Sequence, residues 1–277
     1  MRKIHSLGLV GAVALVLAAV VAPAANGAVT RVETDQFSGV ASAQALDLSL
    51  LGRRLTFGIA SVRRLPGNVG YVDTTMLYPL DFAAPAVSAA MTLVAPTDAL
   101  LLDVRRNRGG TPDTSAFLQS YLVDERTHYL DIYEREGDLV TQMWTLPYVP
   151  GPKFGGTKPI WVLTGPATFS GGEDLAFSLQ RQGRAKTVGE PTRGGAHPRE
   201  QYKVDTYLDV TVSIARSYDP KSGENWEGVG VPPNIPVAAD KAFDTAYALA
   251  LRHVLELGDA GPRRIVADEA RKALDQL

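Results

Sequence analysis

One serine in this sequence has the surroundings that a nucleophile needs. Ser170 follows a buried apolar run and precedes two glycines, Gly171 and Gly172. A serine between a strand and a helix lies where backbone N–H groups converge and where the helix dipole favours negative charge. That position suits a nucleophile whose attack creates an oxyanion. Ser170 and Glu173 also have the spacing of a capping box, so helix capping alone would account for the serine.

Three other loops carry residue types that could line the same site. Residues 103–110 form the end of a predicted buried strand and a turn that is first basic and then rich in glycine. Such a turn lies at the carboxyl edge of a parallel sheet, where ligands bind. Residues 193–198 place two glycines beside His197, and histidine is the natural base at neutral pH. Residues 225–233 put Glu227 beside a tryptophan in a Gly/Pro loop. Taken singly, each is also explained as an ordinary turn, a structural histidine or a packed corner.

Alternating strands and helices must position these loops. Because strands of a parallel sheet are apolar on both faces, continuous apolar runs predict buried strands. The strands predicted from apolar or alternating runs span 69–77, 99–104, 128–134, 139–146, 159–164, 186–189 and 201–215. The predicted helices span 43–51, 85–94 (opened by Pro85), 112–123, a segment starting near Ser170, 241–257 and 265–277. This order predicts an α/β fold with right-handed crossovers.

Composition excludes several classes of function. The chain has 277 residues, of which 45% are hydrophobic and 21% charged, as in a globular protein of one or two domains. Twenty-eight basic and thirty acidic residues leave a net charge of -2, so we expect no nucleic-acid partner. The absence of cysteine excludes disulfides and thiolate chemistry. The four histidines form no metal-binding pair, so we expect no metal and no cofactor.

The N-terminus has the order of a secretory signal peptide. Basic residues at 2–3 precede a 15-residue apolar run at 7–21, and small residues follow at 22–28. The run is short for a membrane span, which needs about 20 residues, although an uncleaved anchor is the alternative. We expect residues 1–28 to be a signal peptide, 29–56 a short lead and 57–277 the single catalytic domain. The mature protein would then be extracytoplasmic, without a stable membrane span.

Five segments taken in order resemble the tail-specific, or C-terminal-processing, serine peptidase family. They are most similar to bacterial relatives of interphotoreceptor retinoid-binding protein and to the core of the tricorn protease. The matching segments are 57–71, 102–110, 162–173, 188–198 and 225–232. The resemblance implies a crotonase- and ClpP-like spiral α/β core, and a peptide or protein as substrate.

The resemblance also implies roles for individual residues. Ser170 corresponds to the nucleophile. The N–H groups of Gly171 and Gly109, or Gly110, correspond to the oxyanion hole. Glu227 matches an acidic residue that helps to orient the catalytic histidine in the tricorn-like branch.

Two departures concern the general base. The Ser–Lys branch carries its lysine at the position of Gly195, so that dyad is absent here. The tricorn-like branch takes its base from a helical domain ahead of the core, and 29–56 contains no histidine and is too short for three helices. His197 is the only histidine within a matching segment. In the oxyanion turn, Arg108 replaces the glycine of close relatives.

Three functions therefore remain open. The first is a secreted serine peptidase with catalysis impaired by the missing base. The second is a degenerate member of the family that binds extended peptides or apolar ligands without hydrolysing them. The third, an acyl-thioester enzyme of the wider crotonase superfamily, is disfavoured by the motif around Ser170.

Overall fold

A six-stranded sheet between two layers of helices forms the centre of residues 56–277, the part of the chain that the computed structural model describes. The strands are β1 Ile59–Leu65, β2 Val69–Thr74, β3 Ala99–Asp103, β4 His128–Glu134, β5 Leu139–Trp144, β6 Ile160–Thr164, β7 Lys186–Gly189, β8 Arg199–Lys203, β9 Asp209–Ser213, β10 Ala215–Tyr218 and β11 Ile235–Pro236. The helices are α1 Leu80–Val94, α2 Pro112–Ser120, α3 Gly171–Arg181, α4 Ala242–Glu256 and α5 Arg263–Leu274.

The central sheet is mostly parallel. Its strand order is β1-β2-β3-β6-β7-β11, and only β1 and β2 pair in antiparallel fashion. Leu100 and Leu102 face a core with α1, α2 and α3, whereas Leu101 and Leu163 face a core with α4 and α5. Asp103 pairs with Leu163, so the carboxyl ends of β3 and β6 lie side by side. The loops that leave these two ends therefore meet at one edge of the sheet.

The predicted α/β class is confirmed, and most elements lie where the sequence placed them. Strands β3, β4 and β7 and helices α4 and α5 agree with their predicted bounds within three residues. The prediction that Pro85 opens the first helix is wrong, because α1 begins at Leu80 and runs through the proline. Ala83 and Val87 on either side of it are both buried. Packing against the sheet thus outweighs the one intrahelical hydrogen bond that proline removes.

Residues 201–215 do not form the single strand that their alternation predicts. They divide among β8, β9 and the start of β10. In the turn between β8 and β9, Oδ1 of Asp205 accepts the N–H groups of Tyr207 at 2.6 Å and Leu208 at 2.9 Å. This Asx-type turn folds the segment back on itself. As a result β8 and β9 form a separate two-stranded ribbon, while β10 pairs with β4.

The predicted signal peptide (1–28) and the predicted helix at 43–51 lie outside the described residues. Within 56–277, no helix has the length and apolar character that crossing a membrane requires. The same residues hold no group of three or more His, Asp or Glu side chains arranged to bind a metal ion.

Candidate active site

Ser170 lies on a sharp turn between β6 and α3, and α3 begins with Gly171. Its backbone has φ 51° and ψ −118°, a left-handed φ that a residue with a β-carbon rarely adopts. The turn is anchored because the N–H of Phe169 donates to the carbonyl of Asn107 at 2.9 Å. A strained serine on a strand-to-helix turn is typical of the nucleophile elbow of serine hydrolases.

The turn that follows β3 lies directly against Ser170. Asn107 is fully buried there, with Nδ2 donating to the carbonyl of Thr74 at 3.2 Å and Oδ1 accepting the N–H of Gly109 at 2.8 Å. A β-carbon placed on Gly109 would lie 2.8 Å from Cβ and 3.2 Å from Oγ of Ser170. The φ of Gly109 is +107°. Glycine is therefore required at this position by both the backbone conformation and the close approach of the two turns.

The free N–H groups near Ser170 distinguish between the two alternatives that the sequence leaves open. The prediction gives the oxyanion hole to Gly171 and to Gly109 or Gly110, and the N–H of Gly109 donates to Asn107. Within residues 56–277, the N–H groups of Gly110 and Gly171 donate to no acceptor. A β-carbon on Gly171 would lie 3.1 Å from the nitrogen of Gly110, so the two are neighbours. The structure thus offers Gly110 in place of Gly109 as the free donor beside Gly171.

A buried carboxylate lies behind the turn that carries Ser170. Oε2 of Glu173 accepts the N–H groups of Ser170 at 2.7 Å and Gly195 at 2.9 Å. Oε1 accepts the hydroxyl of Thr192 and the N–H of Gly194, both at 2.6 Å. Glu173 is fully buried, and no Lys or Arg in the described part of the chain pairs with it. The carboxylate therefore does more than cap α3, because it also holds residues 192–195.

The structure brings His197 and Glu227 together. Oε2 of Glu227 accepts the backbone N–H groups of Ala196 at 2.6 Å and His197 at 2.9 Å, and it lies 3.9 Å from Nδ1 of the His197 ring. The other ring nitrogen, Nε2, lies 3.3 Å from Nδ2 of Asn225. Both ring nitrogens thus have a polar neighbour. No hydrogen bond joins His197 to the Ser170 hydroxyl among the residues described, and its role as base stays a prediction.

The ring of Phe169 fills the space beside Gly195. A β-carbon on Gly195 would lie 2.2 Å from Cε2 and 2.7 Å from Cζ of that ring. The guanidinium of Arg193 stacks over the ring, 4.9 Å from its centroid. A lysine at position 195, as in the Ser–Lys branch, would require Phe169 to move.

A second buried carboxylate follows Glu173 on α3. The hydroxyl of Ser178 donates to Oδ1 of Asp174 at 2.8 Å, and Ser115 on α2 is its other hydrogen-bond partner. Burial raises the pKa of Asp174 to about 6, although these two hydroxyls partly offset that effect. The side-chain partners of Asp174 lie on α2 and α3, and neither belongs to residues 192–195.

Sequence reasoning missed three parts of this site. The bond from Asn107 to Gly109 is one, and an asparagine two residues before a glycine in a turn is the signal that could have indicated it. The second is the link from Glu173 to residues 192–195, which are about 20 positions away. The third is Thr192, for which the sequence holds no distinguishing signal.

Comparison with known proteins places this arrangement in a family. The sequence matches the model of peptidase family S41 over residues 68–237. It is 25% identical over 189 residues to the chloroplastic carboxyl-terminal-processing peptidase 2 of Arabidopsis thaliana, covering 62% of this chain and 34% of that protein. The chain therefore spans about a third of the length of this curated relative.

Solved structures share the fold at low sequence identity. A photosystem II D1 C-terminal processing protease aligns with a TM-score of 0.50 and 22% identity, over 62% of this chain and 43% of that chain. A lipoprotein from Streptococcus agalactiae aligns with a TM-score of 0.54 and 17% identity, over 73% of each chain. Mature CPAF aligns with a TM-score of 0.53 and 17% identity, over 76% of this chain and 55% of that chain.

Proposed function

The chain belongs to peptidase family S41, and we propose that it is a serine peptidase that hydrolyses peptide bonds with Ser170 as its nucleophile. The observation that carries the proposal is the strained φ of 51° at Ser170, at the N-terminus of α3 and beside two free backbone N–H groups. Strain of this kind persists where the surrounding structure enforces it, and it is common at catalytic residues.

The reaction begins when Oγ of Ser170 attacks the carbonyl carbon of the peptide bond. The negative charge that develops on the carbonyl oxygen is stabilised by the N–H groups of Gly110 and Gly171 and by the N-terminal end of the α3 dipole. Collapse of this intermediate breaks the C–N bond and leaves an acyl group on Ser170. Water then attacks the ester and releases the acid.

The proton that Oγ loses needs an acceptor, which then gives it to the leaving amine. His197 is our candidate, and Glu227 beside it would stabilise the imidazolium that forms. In the structure, Nε2 of His197 faces Asn225 rather than Ser170. We therefore propose that catalysis is impaired, because a positioned base contributes typically about 10²–10⁴-fold.

The substrate that we propose is the C-terminal part of an unstructured polypeptide, by analogy with the name of the curated relative. We also propose that the protein acts outside the cytoplasm after cleavage between Ala24 and Ala28, on the basis of the basic, apolar and small-residue order of the N-terminus. N-terminal sequencing of secreted protein tests the export proposal. Membrane-bound protein that retains Met1 would contradict it.

Labelling with a fluorophosphonate, which reacts with activated serines, tests the mechanism. We expect the wild type to be labelled, Ser170→Ala to be unlabelled, and hydrolysis of an unstructured peptide to be slow. If His197 is the base, His197→Ala lowers both labelling and hydrolysis while the fold stays intact. Peptide hydrolysis that is unaffected by Ser170→Ala would refute the serine mechanism.

One observation favours a second function, binding without hydrolysis. Within residues 56–277, no Lys or His forms a hydrogen bond with the Ser170 hydroxyl, and Phe169 fills the space that a lysine at position 195 would need. A wild type that binds the peptide but is neither labelled nor active would establish this alternative.

A further inference from the structure

Glu173 connects two parts of the site that are distant in sequence. Its Oε2 binds the N–H of Ser170, at the point of backbone strain, and the N–H of Gly195. Its Oε1 binds Thr192 and Gly194. The carboxylate has four donors around it, and each oxygen bridges between two of them. It therefore fixes the distance between the Ser170 turn and residues 192–195.

The same residues lead on to His197. The N–H of Gly228 donates to the carbonyl of Gly194 at 3.0 Å, and the N–H of Val231 donates to Oγ1 of Thr192 at 2.7 Å. Glu227, which lies with Gly228 and Val231 in the loop 225–233, accepts the backbone N–H of His197. A continuous series of hydrogen bonds thus runs from the Ser170 turn to the His197 backbone, and Glu173 is its first member.

We propose that Glu173 is a positioning residue, whose carboxylate enforces the strained backbone of Ser170 and holds the segment that carries His197 at a fixed distance from it. This inference rests on the proposed function of Ser170. It predicts that the positions of Ser170 and residues 192–195 depend on the charge and both oxygens of Glu173, and not only on the volume of its side chain. Glutamine has the same shape, but its amide nitrogen would face two of the four donors. A backbone N–H cannot accept from it, so at least one N–H would be left unsatisfied in a buried place.

Asp174 provides a matched control on the same turn of α3. It is also a buried carboxylate, but its hydrogen-bond partners are Ser115 and Ser178 in the helix layer. Asp174→Asn removes a buried charge as Glu173→Gln does, without touching residues 192–195. A difference between the two variants therefore reports the position of the carboxylate and not the loss of a buried charge.

The experiment uses the purified full chain and two readouts. The first is the rate of inactivation by a fluorophosphonate, measured at several concentrations of the reagent. These rates give the maximal rate constant of inactivation and the concentration of reagent at half of that maximum. The second is amide hydrogen exchange at Ser170, Gly194 and Gly195. For Glu173→Gln we expect the maximal rate constant to fall about 100-fold, the effect associated with a 1 Å misplacement, at an unchanged half-saturating concentration. Exchange at the three amides should become faster in Glu173→Gln. Asp174→Asn should keep the wild-type rate constant and should not speed exchange at these amides.

The inference is overturned if folded Glu173→Gln reacts at the wild-type rate or keeps slow exchange at the three amides. If Glu173→Gln does not fold, Thr192→Val replaces it, because that change leaves the carboxylate and three of its four donors in place, although it also removes the acceptor of the Val231 N–H. A smaller loss in the same direction would support the inference, and a wild-type rate would overturn it. Failure of the proposed function gives a different result. The wild type would then react with the fluorophosphonate no faster than Ser170→Ala. Amide exchange would still show whether Glu173 holds residues 192–195 in place.

Discussion

Replacing Asp174 by asparagine should stabilise the protein at neutral pH. Asp174 is buried on α3, and its pKa is raised to about 6 because burial disfavours the charged form. At neutral pH the folded protein must therefore hold a buried negative charge, with which no Lys, Arg or His within residues 56–277 forms an ion pair. Asparagine keeps the size of the side chain and one oxygen that can accept from Ser178, but it carries no charge.

The magnitude follows from proton linkage. Between the ordinary pKa of 3.8 and the folded value of about 6, the folded state binds a proton that the unfolded chain has released. The free energy of unfolding therefore falls as pH rises through this window. The difference of about two pH units, at about 1.36 kcal/mol each, amounts to about 3 kcal/mol above pH 6. Asp174→Asn avoids this loss, so its gain in stability reaches at most about 3 kcal/mol at neutral pH and vanishes near pH 4.

Urea unfolding of both proteins at about pH 8 and about pH 4 measures the effect. We expect the midpoint of Asp174→Asn to exceed that of the wild type at the higher pH and to equal it at the lower pH. Contributions from other titrating groups cancel in the difference between the two proteins. An equal gain at both pH values would show that packing, not titration, is responsible, and a loss at the higher pH would refute the argument.

Two further predictions concern glycines beside Ser170. Gly109→Ala should abolish fluorophosphonate labelling, because the new β-carbon would lie 2.8 Å from that of Ser170. The control is Gly137→Ala, which should be labelled normally. Gly137 also has a positive φ, but a β-carbon there would have no atom within 4 Å. Gly195→Lys should lower stability by about 1–3 kcal/mol through overpacking against Phe169, and adding Phe169→Ala should recover part of that loss in urea unfolding. Additive effects of the two changes would refute the steric argument.

The sequence could predict the turns of the site because their signals are local. A buried apolar strand, a serine and two glycines fall within a few residues of one another, so the position of Ser170 between β6 and α3 was predictable. The turn after β3 was predictable for the same reason. The two turns meet because β3 and β6 pair in parallel. The alternation of strands and helices predicts parallel pairing of this type.

The remaining features depend on contacts between distant parts of the chain. Glu173 has the spacing of a capping residue, and nothing near it indicates that it also binds residues 192–195. Alternation in 201–215 is equally compatible with one strand and with a ribbon that reverses, and the turn at Asp205 decides between them. The proposal that Gly110 is a donor of the oxyanion hole rests on the hydrogen bond from the Gly109 N–H to Oδ1 of Asn107, which sequence spacing does not determine.

At His197 the backbone of the loop is constrained more tightly than the orientation of the imidazole ring. Glu227 holds the backbone N–H groups of Ala196 and His197, and residues 192–195 are held by Glu173, so the backbone that leads to the ring is fixed. The ring itself is constrained less, since its nearest neighbours are Nδ2 of Asn225 at 3.3 Å and Oε2 of Glu227 at 3.9 Å, and its side chain is 29% exposed. Releasing Nε2 from Asn225 therefore requires rotation about side-chain bonds and no movement of the loop. Under the proposed role of His197 as the base, activity therefore depends on whether the rotated ring reaches the Ser170 hydroxyl.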